Sequence, residues 1–384
     1  MTKLDKIKAA KRFANMITIE PVYSKGDMGD FVQVPFYIYK FDDNWVAPLR
    51  AEQYKELDRK RNPFYKHAEV EMWVARRGRT PVGRIAAIVD KMWEDIHGER
   101  VAYFGYFECE NDQPLANALF ETALNWAQRQ CCTRIIGPMS PNQNGIAGML
   151  VEGFDDPPMI MMAYNPPHYP ILTEKFGFSK WKDLYAWKIT GNEVPDRLAN
   201  VVGKLEKRNR FSVRKIDMSD WPNEVARARE MFNSYEQVNN IYTPLTVEEF
   251  DNLAKDLKMI VDPDLAFFAE VEGKTVGFSI AVPDANMALK AAHGRLFPIG
   301  IVKLLLAKKR IDRLRVMAMG VIDGYHGRGI DLVFYYNTYV NGLAKGYHMA
   351  EMSWVDEDND AMNNTARKMG AELYKNYRIY EHKL

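Results

Sequence analysis

The sequence predicts a mixed α/β protein, an α+β mixed sheet with helices, built from two copies of one unit. Three observations lead there. The chain has 384 residues, more than a single hydrophobic core usually serves, so about two domains are expected. A strand–turn–strand pattern occurs twice at a constant spacing. Late in the chain, a Gly/Arg turn, Gly324-Tyr-His-Gly-Arg-Gly-Ile-Asp331, separates the apolar run Arg315–Ile322 from the helically spaced Leu332–Leu343. That run reads as a buried strand and the segment after the turn as a helix.

The repeat is the hairpin Ala75-Arg-Arg-Gly-Arg-Thr-Pro-Val-Gly83, which aligns with Ala269-Glu-Val-Glu-Gly-Lys-Thr-Val-Gly277 at an offset of 194. The match continues from Ala87 to Ala281 and from Asp90 to Asp284. Further on, Arg100-Val-x-x-x-Gly105 pairs with Arg315-Val-x-x-x-Gly320, and Glu174-Lys-Phe-Gly-Phe178 with Arg367-Lys-Met-Gly-Ala371. Three matches in the same order argue for duplication. The turn-rich Thr190–Pro195 then marks the boundary, giving domains at 1–190 and 191–384. A helix carrying Leu198, Val201, Val202 and Leu205 follows the boundary and is expected to bridge the copies.

Within the second copy the elements follow in order. A strand opens at Phe211–Asp217, and helices cover Glu224–Val238 and Val247–Met259. The latter starts at a Thr246-x-x-Glu249 capping box. After the hairpin and the strand before Gly324 come the helix, a strand over Tyr347–Val355, a helix over Asp360–Met369 and a last strand near Asn376–Glu381. The first copy has its extra length in Gly137–Gly145 and Gly153–Pro158, whose Gly, Pro and Asn residues read as irregular loops.

Composition excludes several classes. Apolar residues make up 47% and aromatics 12%, enough for packed cores. With 52 basic and 51 acidic residues, nothing suggests a dedicated nucleic-acid binder. The cysteines, Cys109, Cys131 and Cys132, form neither a disulfide framework nor a zinc spacing, which points to a reducing cytoplasm. No signal-like apolar stretch follows Met1, and no run approaches the ~20 residues of a membrane span.

The turn between strand and helix is a backbone anion site. First-turn N–H groups lack intrahelical partners, the helix dipole adds positive potential, and Gly327 and Gly329 let a phosphate approach. The arrangement resembles the acyl-CoA loop of the GNAT superfamily of N-acyltransferases, Gln/Arg-x-x-Gly-x-Gly/Ala, here His326-x-x-Gly329-x-Asp331. Gly329 matches, while the first position is His and the last is Asp. The alternative to a phosphate site is an ordinary Gly-rich turn capped by Asp331.

The resemblance covers most of the chain and implies two tandem GNAT-like domains, the first degenerate. It implies acetyl-CoA or another acyl-CoA as co-substrate and a small-molecule or peptide amine as acceptor. Cofactor contacts would come from Met319, Val321 and Ile322 on the strand, from His326, Gly327, Arg328, Gly329, Ile330 and Asp331 in the turn, and from Asn359. The family's general-acid Tyr falls on Ala366 when Asn-x-x-Ala-x-x-x-Tyr-x-x-x-Gly is registered on Gly370, so Tyr374 and Tyr377 are the candidate substitutes, with a core or surface role as their other reading. Glu351, sharing a strand face with Ser353, is the candidate general base; a salt-bridged surface Glu is the alternative. Asp323 is the runner-up.

The first copy has Phe107-Glu-Cys-Glu-Asn-Asp-Gln-Pro114 where the second has its Gly-Arg-Gly, and three acids would repel a pyrophosphate. It is expected not to bind CoA. Asn142, Asn144 and the loop at Gly153 either shape a pocket or simply form turns. Cys109, between two acids, is expected to have a raised pKa. The basic, apolar stretch 297–315 is expected to pack its apolar stripe on its own domain rather than touch a membrane. Two other functions stay open: a non-catalytic GNAT-fold binding module, and a Fem-like aminoacyl ligase, which the balanced charge disfavours.

Overall fold

The protein is described here by a computed structural model covering residues 16–208, 210–235, 242–295 and 300–384. It forms two compact units, Met1–Asp183 with Tyr377–Leu384, and Leu184–Asn376. The division expected at 190/191 thus takes a different form: the chain passes into the second unit at 184, and its last eight residues return to the first.

The first unit is built on strands β1 (Ile17–Pro21), β2 (Ala68–Arg77), β3 (Thr80–Asp90), β4 (Ala102–Cys109) and β5 (Arg134–Gly137). They are antiparallel except for β4 and β5, which run parallel. Short strands β6 (Met139–Ser140), β7 (Ile146–Ala147) and β8 (Met149–Glu152) follow. Helices α1 (Lys25–Ile38), α2 (Arg50–Glu56), α3 (Lys91–His97), α4 (Gln113–Arg129) and α5 (His168–Phe176) complete it. The first core gathers Leu115, Leu119, Phe120 and Ala123 of α4 with Phe104, Ile135 and Phe178. The Asp112 side chain caps α4 by accepting the Leu115 N–H.

In the second unit, strand β9 (Ser179–Thr190) supplies residues 184–190. They pair with β14, after β10 (Ser212–Lys215), β11 (Ala266–Val271), β12 (Lys274–Pro283), β13 (Arg313–Val321) and β14 (Met349–Asp356) in chain order. The last strand, β15 (Glu372–Lys383), pairs its end, Tyr380–Lys383, with β5 of the first unit's sheet. Both sheets are therefore closed beside their central parallel pair by a strand that began in the other unit. Helices α6 (Asp196–Arg208), α7 (Trp221–Tyr235), α8 (Val247–Leu257), α9 (Asn286–Ala292), α10 (Gly300–Lys308), α11 (Ile330–Ala344) and α12 (Asp360–Lys368) belong to this unit. α7 and α8 pack with Phe268 and Phe278 on one sheet face. α6, α11 and α12 pack with Phe267, Val316 and Met352 on the other. Leu198 and Val202 of α6 are buried in that second core, so α6 serves this unit's own packing.

Register tests the repeat directly. Ala75 pairs with Gly83 and Ala269 with Gly277, and each hairpin has its bulge directly after that pair. The offset of 194 is thus a structural equivalence. The third strand corrects the alignment. Glu108 pairs with Arg84 and Gly320 with Phe278, so Gly320 is equivalent to Glu108 and not to Gly105, and Arg315 to Tyr103 and not to Arg100. Three-residue matches ignore which partner strand a residue faces; the ladder fixes it.

The capping box forms, with Thr246 accepting the Glu249 N–H and Glu249 accepting the Thr246 N–H at 2.9 Å. The expected helix end at 236–238 and Phe297–Ile299 lie outside the described residues. The basic, apolar stretch expected to pack a single stripe divides between two elements: α10 ends at Lys308, and Leu314 and Arg315 are buried strand residues of β13. Val302 and Leu306 of α10 are more than half exposed. Among the described residues no helix is long and apolar enough to cross a membrane.

Candidate functional site

β13 and β14 run parallel and are bonded from Arg313/Met349 to Val316/Met352. Both continue, β13 to Val321 and β14 to Asp356, without further pairing to each other. A parallel pair that parts in mid-sheet leaves main-chain donors and acceptors facing a gap, and such groups demand partners. An extended, amide-bearing arm is a natural occupant.

At the vertex of this gap stands a buried polar cluster. Arg315, Glu351 and Lys188 are register neighbours on β13, β14 and β9. Side-chain alternation puts them on the face opposite Leu314, Val316 and Met352. Glu351 has no solvent exposure, and Arg315 and Ser353 are also buried. One Glu351 oxygen accepts the Ser353 hydroxyl at 2.6 Å and the other accepts the Tyr374 hydroxyl. Arg315 Nε donates to Ser353 Oγ at 2.9 Å and Nη2 to the Ser353 carbonyl at 3.0 Å. The guanidinium lies 5.6 Å from the Trp354 ring centre, and Lys188 Nζ lies 4.8 Å from that of Tyr374. A buried carboxylate is costly without partners; here two hydroxyls satisfy it. The alternative of a surface salt bridge is excluded by its burial.

The turn has the backbone expected of it. Gly324, Gly327 and Gly329 all have positive φ (84°, 72°, 82°). The first intrahelical bond of α11 runs from Val333 N–H to the Gly329 carbonyl at 3.2 Å. The amides of Ile330, Asp331 and Leu332 precede that ladder. His326, Gly327 and Arg328 are exposed. Arg328 donates to the Gly324 carbonyl at 3.0 Å, and His326 lies 3.4 Å from Asp323. Asp331 sits in the first turn, where the helix dipole favours it, and does not act as a side-chain cap. Gly329 has a structural reason of its own: a Cβ there would lie 2.5 Å from Leu205 Cδ1 of α6.

Other candidates fall elsewhere. Met319 and Val321 turn buried side chains into the core beneath α11, leaving only their main chain for a ligand, and Ile322 is partly buried beside them. The Asn359 side chain caps α12 by accepting the Met362 N–H at 3.0 Å. Ala366 is buried in the core. Tyr377 is fully buried and belongs to the first unit, with its Cβ against Gly148. Of the candidate catalytic residues, the structure brings together Glu351 and Tyr374. Sequence reasoning missed Arg315, which holds Ser353, and Lys188, which lies over the Tyr374 ring and 3.6 Å from Glu372. A lone Arg inside the apolar run 315–322 was the available signal.

Among the described residues of the first unit this arrangement does not recur. By register, Tyr103 stands where the second unit has Arg315, and Ile136 where it has Glu351. Three residues join β4 to α4, against eight between β13 and α11. The equivalent sheet face is filled instead. Arg84, buried, donates to the Phe31 carbonyl at 2.9 Å and lies 3.5 Å from Glu108, which accepts the Tyr169 hydroxyl at 2.8 Å. Tyr106 donates to Glu56 at 2.5 Å. Burial pushes the Glu108 and Glu56 carboxyls up, against the pull of Arg84 and the tyrosines. Burial, then Asp112 and Glu110, also push up the Cys109 thiol. Asn142 accepts the Asn144 N–H at 3.0 Å, a local turn bond.

Comparison with known proteins agrees with this architecture. No family model matches the sequence. A tandem GNAT protein from the clavulanic acid biosynthesis pathway is similar over 96% of this chain and 98% of its own, with a TM-score of 0.56 at 11% identity. A GCN5-related N-acetyltransferase from Sphaerobacter thermophilus gives 0.51 at 13% identity, over 96% and 95% of the two chains. At such identities these likenesses concern the fold. Two curated relatives are nearer in sequence. The bacterial ceramide synthase of Caulobacter vibrioides (strain NA1000 / CB15N) is 34% identical over 375 residues, 95% of this chain and 97% of its own. Protein YghO of Escherichia coli (strain K12) is 33% identical over 382 residues, 96% and 97%. The chain is a tandem GNAT-fold protein and belongs to the family that includes these two relatives.

Proposed function

We propose that this protein is an N-acyltransferase that moves an acyl group from acyl-CoA to the amine of a long-chain base, with the chemistry in the second unit. One observation carries the reading: the Glu351–Tyr374 pair stands at the vertex where β13 and β14 part. Gly-rich backbone at the far end of β13 suits a pyrophosphate. Between them, the unpaired edge of β13 from Met317 to Val321 suits a pantetheine arm. The kinship with a ceramide synthase supports an amine acceptor with a hydrocarbon tail.

In this reading the amine attacks the thioester carbonyl, the carbon–sulfur bond breaks, and one proton passes from nitrogen to sulfur. Glu351 is sealed from solvent, so protons reach it through a hydroxyl that touches it. Tyr374 is that hydroxyl: it passes its proton to Glu351 as it takes the one shed by the amine, then protonates the leaving thiolate and recovers its own proton from Glu351. Arg315 positions Ser353, and through it the carboxylate.

The test is an incubation with hexadecanoyl-CoA and sphinganine, with the N-acyl product detected by mass spectrometry. Product formed by the native chain and lost in Tyr374→Phe supports the proposal. Tight CoA binding without product from any long-chain amine would favour a non-catalytic module, the reading that Ala366 in place of the family tyrosine also favours.

A further inference from the structure

Between β12 and β13 the second unit carries a long excursion. Eleven residues join β3 to β4 in the first unit, against twenty-nine between β12 and β13. The excursion holds α9 and α10, which pack against each other. None of its described residues belongs to either core of this unit, so it is added to the fold rather than required by it. Its composition is one-sided: from 285 to 311 the chain has six Lys and Arg residues and no Asp or Glu. In a chain whose charges otherwise balance, a run of that length without an acid favours an anionic partner.

The exposed face of α10 is both apolar and basic. Val302 and Leu306 are 53% and 64% exposed. Four positions apart, they share one face of the helix, and Lys303 lies within about 100° of both. Lys309 and Arg310 follow at the helix end, Lys290 stands on α9 and Arg295 just after it, and all are exposed. Among the described residues none of these five cations makes an ion pair. The acids at the two ends of the excursion face Arg313 instead: Asp284, which is buried, and Asp312 each lie 3.9 Å from its Nε. The apolar stripe expected to pack on its own domain thus leaves two of its members in water, among unpaired cations.

We infer that the exposed face of α10 docks on the surface of an anionic lipid bilayer. The cations meet phosphate headgroups, and Val302 and Leu306 enter the acyl boundary beneath them. A polynucleotide would engage the cations but leave both aliphatic side chains in water, so charge and apolar exposure together favour lipid. This docking does not depend on the acyl-transfer reading. Its consequence for that reading is one of placement. The excursion ends where β13 begins, at Arg313, three strand residues or about 10 Å from Val316 at the vertex. The Gly-rich turn lies at the other end of β13. An acceptor drawn from the bilayer therefore approaches the vertex from the end opposite the CoA phosphates.

The experiment is co-sedimentation of the full chain with vesicles of phosphatidylcholine alone and of phosphatidylcholine containing about one-third phosphatidylglycerol. Native protein is compared with Lys303→Gln/Lys309→Gln/Arg310→Gln and with Val302→Ser/Leu306→Ser, each checked for folding by its melting curve. Every substituted side chain is exposed. The native chain should bind the anionic vesicles and not the neutral ones, and more weakly as salt rises. Each cation near such a surface is worth about fivefold in affinity, so the triple variant should bind about 100-fold more weakly. The double variant should lose about tenfold through its apolar contact. No sedimentation of the native chain with anionic vesicles, or equal binding by native chain and triple variant, would overturn the inference. Binding unchanged in the double variant would overturn it as well, because it would leave only general electrostatic adsorption. Self-association of the native chain that the double variant abolishes, without sedimentation, would overturn it by giving the face to a second copy. Vesicle binding is read without substrates, so failure of acyl transfer is seen separately.

Discussion

The Tyr374 hydroxyl donates to the carboxylate of Glu351, a side chain with no solvent exposure in the middle of the second sheet. The two residues lie 23 positions apart in sequence, on β14 and β15. Ser353 holds the other carboxylate oxygen at 2.6 Å. Every proton that reaches Glu351 must therefore cross one of two hydroxyls, and only Tyr374 is part-exposed.

Removing the phenolic hydroxyl should expose that dependence. Tyr374→Phe is expected to lower kcat by about 10²-fold with a small change in KM, the usual size of a lost general-acid contribution. Steady-state kinetics with a long-chain acyl-CoA and a long-chain amine would check it. An unchanged kcat would remove Tyr374 from the proton path.

Arg315 answers to stability as well as chemistry. Its guanidinium holds both the hydroxyl and the carbonyl of Ser353. Arg315→Met should destabilise the second unit by roughly 1–3 kcal/mol, the cost of losing charged hydrogen bonds to the buried Ser353. Urea titration of the variant against the native chain would read this loss.

Gly329 meets two separate constraints, a positive φ and the approach of Leu205. Gly329→Ala should cost about 1–2 kcal/mol for the left-handed backbone, plus the clash. In Gly329→Ala/Leu205→Ala the clash part should vanish and the backbone part persist. A double-mutant cycle by thermal melting separates the two; strict additivity would mean Leu205 plays no part.

The buried carboxyls of the first unit predict a particular pH dependence. Glu56 and Glu108 are held above the ordinary glutamate value, chiefly by burial. A carboxyl raised in the folded state still binds a proton there when the unfolded chain has lost it. Stability from these groups is thus greatest below the unfolded value, ~4.3, and falls as pH rises through the folded one. Glu56→Gln should flatten this decline. Asp264 acts oppositely: Lys215 and Lys345 hold it at about 2, so its contribution is present above the ordinary aspartate value and lost as pH falls through about 2. Calorimetry from pH 2 to 8 should show the two windows separately, and an unchanged slope in Glu56→Gln would exclude Glu56 as a source.

Much of this protein was legible in its sequence. The hairpin repeat at offset 194, the Thr246 capping box, the Gly-rich turn before α11 and the absence of that turn from the first copy all rest on local chemistry. A two-residue turn, a helix cap and a positive-φ glycine each write themselves into neighbouring residues. Glu351 was also visible, because a carboxylate inside an apolar strand is costly enough to be conspicuous.

What the tertiary structure decided is which distant residues meet. That Arg315 serves Glu351, that Asn359 is spent on capping α12, and that Tyr377 lies in the first unit while Tyr374 lies in the second all depend on strand register and on where β15 passes between units. A strand's own sequence states its period but not its partner. Pairing is settled only when whole faces are buried together, and the placement of the Glu351 cluster follows from that burial.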